Sequence, residues 1–158
     1  MKFLKSIFKK SSATTTESFV FSARDHAIIM KAAKELNKID NINKGGCGIS
    51  TLALYRYMRK KNIVNHTTHF KMMYTNKRGK FDELRPGCQH VVLCHNGNAY
   101  DSEGLVDLSN YIGEYTTRSV YELLDMINNE KWNSAFDRRS NCQRIAFSLG
   151  VSLKDVRR

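Results

Sequence analysis

Cys47, His90 and Asp101 have the residue types and the chain order that nucleophilic acyl chemistry needs. Cys47 lies in "NKGGCGIS" (43–50), with glycines on both sides, directly ahead of "TLALYRYMRKK". The second stretch reads as a helix, so the thiol stands at a helix start. A thiol attacks as thiolate, and its ordinary pKa of about 8.5 falls at a helix N-terminus and beside a histidine. Gly45 and Gly46 are expected to let a substrate backbone come close. Gly48 is expected to leave amides open toward an oxyanion.

The base and its orienter follow from a hairpin. "QHVVLCH" and "NAYDSEG" flank Asn96-Gly97, the pair that supplies both positive φ angles of a type I′ turn. That turn sets His95 against Asn98, Leu93 against Tyr100 and His90 against Glu103. Alternation then puts His90, Val92 and Cys94 on one face with Ala99, Asp101 and Glu103. Asp101 lies on the diagonal from His90, roughly 7–8 Å away at the backbone, within reach of two side chains. Val91, Leu93 and Tyr100 face the other way, as a core requires. In this arrangement Cys47 attacks, His90 moves the proton and Asp101 holds the imidazole tautomer, with Glu103 as second carboxylate.

These residues need a scaffold. "ARDHAIIMKAAKELNK" (23–38) predicts a helix with Ile28, Ile29, Ala32, Ala33 and Leu36 inward. "IDNINKGG" is a loop, and the cysteine helix runs from about 47 to 61. "HFKMMYT" (69–75) alternates as a strand does, with "NKRG" a turn and "RPG" a break. From about 118 the chain reads as helical through "RSVYELLDMINNE" and "NSAFDRRSNCQRIAFSLG", where Gly150 fits a helix stop. Helices at both ends and strands between them predict an α+β fold with an antiparallel sheet.

"GGCGISTLALYRYM" followed by "QHVVLCHNGNAYDSEG" resembles the papain-like cysteine hydrolase superfamily, in its transglutaminase-like and NlpC/P60-like branch, including small phage-encoded members. The resemblance covers about residues 40 to 108. It implies a cysteine helix packed on an antiparallel sheet, and peptidase, amidase or acyltransferase chemistry through an acyl-enzyme. It matches Cys47 to the nucleophile, His90 to the base and Asp101 to the orienting acid. It also implies an oxyanion-hole glutamine shortly before the cysteine. Asn41 stands there, and Gln89 is the substitute. No cofactor and no metal are implied.

The 158 residues suffice for one domain with a real core, read here as 19–158. Residues 1–18 read as a basic amphipathic segment, with Phe3, Leu4, Ile7 and Phe8 on one face, and a "SSATTTES" linker. A first helix packed on the domain is the expected role, and an anionic membrane contact the alternative. The net charge of +11 suits an acidic protein or peptide substrate, or nucleic acid. The four cysteines form no CxxC pair and read as reduced thiols, which places the protein in the cytoplasm, that of a bacterial host if the chain is phage-encoded. Cys88, His90, Cys94 and His95 match no usual zinc spacing. The rival class is DNA binding: "RIAFSLGVSLKDVRR" patterns like a helix-turn-helix, with a short recognition helix after Gly150. A catalytically dead binding module of the same fold is the third reading.

Overall fold

The structure is a computed structural model, and it describes residues 22–73, 90–111, 114–129 and 136–157. Helix α1 (Ala23–Leu36) begins where Ser22 Oγ accepts the Asp25 N–H at 3.2 Å, and it buries Ile29, Ala32, Ala33 and Leu36. Helix α2 (Cys47–Lys60) is different: every residue from Cys47 to Leu54 is buried. A helix covered all round is a central element, not a surface one. It packs against α1, α3, α4 and the sheet.

The sheet has five antiparallel strands in the order β4-β3-β2-β1-β5. These are β1 (His69–Met73), β2 (His90–His95), β3 (Asn98–Asp101), β4 (Gly104–Leu105) and β5 (Glu114–Thr117). Strand β2 lies at the centre and is buried throughout. The hairpin has the expected register, with Leu93 opposite Tyr100 and His95 opposite Asn98. Its turn has φ of 48° at Asn96 and 79° at Gly97, both positive as a type I′ turn requires. Phe70, Met72, Val91, Leu93 and Tyr100 join the main core under the helices. Met73, Val92, Cys94 and Ala99 form a smaller cluster on the opposite face, with Val106, Leu108 and Tyr111 packed on it. The α+β class and the antiparallel sheet are thus as the sequence predicts.

Two expectations are corrected. Strands β4 and β5 are extra; "EYTT" lacks alternation, yet it pairs antiparallel with β1 along that strand's other edge. Helix α3 (Val120–Asn129) and helix α4 (Arg138–Leu149) follow. Gly150 then ends α4 at φ 61°, and the described residues after it form no recognition helix. The chain from 151 to 157 is non-helical, because Leu153 and Val156 turn into the core. Arg56 binds the Asp155 carboxylate at 2.8 Å and also the Ser152 carbonyl, while Asn128 holds Arg157 N–H at 2.7 Å. The helix-turn-helix reading therefore loses the element that would read DNA. Among the described residues, no helix is long and apolar enough to cross a membrane. The amphipathic segment and linker, the turn at 76–79, the break at 85–87, Cys88 and Gln89 lie outside the described residues.

Candidate active site

Cys47 is the first residue of α2, and Gly46 is its N-cap. No side chain caps this end. The amides of a first helical turn have no partner within the helix, so this terminus favours negative charge. Ser50 closes the turn: its N–H donates to the Gly46 carbonyl at 2.8 Å and its hydroxyl to the Cys47 carbonyl at 2.8 Å. Farther along, Thr51 Oγ1 donates to the Val91 carbonyl at 2.9 Å in a buried contact. That bond fastens the cysteine helix to the strand that begins with His90.

His90 Nε2 lies 2.9 Å from Asp101 Oδ2, and both side chains are nearly buried. The other carboxylate oxygen accepts the Glu103 N–H at 2.7 Å. Asp101 thus ends β3 with one oxygen held by its own turn and the other on the imidazole. Burial disfavours the charged ring, but hydrogen bonds to Asp101 and Cys47, and their negative charge, outweigh it and raise the His90 pKa to about 9. Burial likewise opposes the Asp101 charge, and the hydrogen bond to His90 and the backbone amides of Glu103 and Gly104 prevail, lowering its pKa. Asp101 and Cys47 thus both favour the protonated form of the His90 ring.

Tyr111 completes the site. Its ring stacks on His90 at 5.6 Å between centroids and 11° between planes. Burial, followed by the negative charge of Asp101, Cys47 and Glu103, raises its phenol pKa. Cys47 itself is only 3% exposed, so the sulfur lies beneath the surface in this conformation.

The structure brings Cys47, His90 and Asp101 together, but it gives the supporting residues other tasks. Glu103 is exposed; its carboxylate accepts from Asn43 Nδ2 at 2.8 Å instead of serving His90. Asn41 is exposed at φ 57°, and its carbonyl accepts the Lys44 N–H, which makes it a turn residue. Gly46 and Gly48 are buried, and the fold itself fills the space over them. A Cβ at Gly46 would meet the Phe136 ring at 2.6 Å and the Ile42 carbonyl at 2.7 Å; one at Gly48 would meet Ile127 at 2.9 Å. The Phe136 ring and the Ile42 carbonyl, not a substrate backbone, fill the space beside Gly46. His95 points to the helix face, 2.9 Å from Thr68 Oγ1 and 3.3 Å from Asp25, away from Cys94.

Two residues were missed from the sequence. Asn43 joins the loop before Cys47 to the turn after Asp101, since Ser102 Oγ also donates to Asn43 Oδ1. Tyr111 reaches His90 from the loop beyond β4. Neither carries a local pattern; only the folded path of the chain places them. No family model, curated protein or solved structure significantly matches the chain.

Proposed function

We propose that the chain is a cysteine-dependent hydrolase or acyltransferase acting on a peptide, isopeptide or other amide bond. The observation that carries this reading is the 2.9 Å contact of His90 with Asp101 on a ring that also senses Cys47. The thiolate of Cys47 attacks the carbonyl carbon; a C–S bond forms and the carbonyl becomes an oxyanion. The uncapped amides at the start of α2 stabilise that charge. Collapse breaks the C–N bond, and His90 gives its proton to the departing amine. Water or a second amine then attacks the thioester and gives a proton to His90, and Cys47 leaves. Asp101 keeps the imidazole oriented throughout, and Tyr111 holds its plane.

A cysteine opening a helix packed on an antiparallel sheet, with histidine and acid on adjacent strands, supports placement in the papain-like superfamily, nearest its transglutaminase-like and NlpC/P60-like branch. The basic surface suits an acidic protein or peptide substrate. The 3% exposure of Cys47 favours a second reading, a dormant module that keeps the site closed. Intact-mass labelling with iodoacetamide at neutral pH decides between them. An enzyme labels at Cys47 first and captures acyl adducts from amide or ester substrates. Labelling of Cys47 no faster than the other thiols would leave the binding module.

A further inference from the structure

Positive charge that the triad does not use surrounds the far end of α2. Two depressions meet there. One, of about 390 Å³, runs between α4 and the segment after Gly150; Ala146, Leu153 and Val156 line it, with Arg139 and Lys154. The other, of about 310 Å³, is lined by Arg56, Arg59 and Lys60. The two share Gly150, Val151 and Ser152 as a common wall. Asp155 takes the charge of Arg56, but among the described residues Arg59, Arg139 and Lys154 have no carboxylate partner. Phe147, beside Ala146 in the chain, is 91% exposed.

We propose that this surface docks an acidic peptide segment carrying one bulky apolar side chain. The apolar group enters the cavity over Ala146 and Leu153, and the carboxylates meet Arg59, Arg139 and Lys154. An aliphatic floor ringed by cations matches that chemistry better than it matches a phosphate backbone, which needs cations but no apolar cavity. The surface also has a defined reach. Cys47 opens α2 and Lys60 ends it, so the nucleophile and the docking surface are about 20 Å apart at 1.5 Å per residue. An extended chain crosses that span in about six residues. On the reading of Cys47 as nucleophile, and in this respect only, the docking segment lies about six residues or more from the bond attacked.

The test uses the full chain carrying Cys47→Ser, so that binding is read without turnover. The probe is a fluorescein-labelled short peptide of glutamates around one central phenylalanine, followed by anisotropy. Parallel probes replace the phenylalanine by serine, or the whole peptide by labelled oligothymidylate. The acidic phenylalanine peptide is expected to bind, and Arg139→Glu with Lys154→Glu to weaken it about tenfold or more. Ala146→Trp, which fills the cavity, is expected to do the same, with circular dichroism confirming the fold. The exposed charge reversals keep the test open if Ala146→Trp fails to fold. Equal binding of the serine peptide, tighter binding of the oligonucleotide, or no peptide binding would each overturn the proposal. Peptide binding by that chain, with no preferential labelling of Cys47 in the unsubstituted chain, would retain the docking surface and sink the catalytic reading instead.

Discussion

Replacing Asp101 by Asn keeps the shape of the side chain and removes its charge, which makes it a direct probe of what holds His90 protonated. The His90 pKa stands at about 9 against an ordinary 6.5. That difference corresponds to at most about 3.5 kcal/mol of preference for the imidazolium in the folded chain, at about 1.4 kcal/mol per unit. The sign follows from linkage. A group whose pKa rises on folding contributes stability that is fully present below 6.5 and is lost as pH rises through about 9. Histidine imidazole signals followed by NMR, with His90→Gln to assign the ring, give the titration. The wild type is expected to titrate near 9, and Asp101→Asn to fall by about one unit or more, since a carboxylate within hydrogen-bond reach commonly shifts a pKa by 1–3 units. Urea unfolding at pH 6 and pH 10 supplies the second readout. The wild type should lose more stability across that interval than Asp101→Asn does. A His90 that titrates at or below 6.5, or one indifferent to Asp101→Asn, would refute the reasoning.

Below pH 7, Cys47 should alkylate faster than Cys88, Cys94 and Cys142, and His90→Ala should erase the advantage, as peptide mapping by mass spectrometry would show. Gly46→Ala should destabilise by about 1–3 kcal/mol in urea unfolding, because the new Cβ has the Phe136 ring and the Ile42 carbonyl against it. Thr51→Val leaves the buried Val91 carbonyl without its donor and should cost about 1–3 kcal/mol; an unchanged midpoint would show that the contact contributes nothing. Tyr111→Ala removes the ring stacked on His90 and should alter the pH profile of Cys47 alkylation, whereas Tyr111→Phe should preserve it.

The hairpin was legible because its information is local. Asn96-Gly97 sets the turn, the turn sets the register, and strict alternation then carries His90 and Asp101 to one face. Helix α2 was legible for the same reason, from its run of helix formers after the glycines. The function of the glycines was not legible, since apart from the nearby Ile42 carbonyl the groups that press on them come from α3 and from Phe136, far along the chain. Strand β5 was missed because "EYTT" is only four residues long and lacks alternation, although Tyr115, Thr116 and Thr117 are strand formers and pair with β1. The tail after Gly150 misled in a related way: its apolar residues have helical spacing, yet Leu153 and Val156 are drawn into a core that the sequence does not reveal.

The spacing of the triad along the chain also orders its assembly. His90 and Asp101 are only eleven residues apart and meet through a two-residue turn. Closing so short a loop costs little entropy, and hairpins form within about 1–10 μs. Cys47 belongs to a helix whose contacts are with elements from both ends of the chain, so it joins the pair only when α2 docks. On the proposed reading, the nascent polypeptide pairs its imidazole and carboxylate before the thiol reaches them. The contact of the sulfur with the imidazole would then coincide with completion of the core.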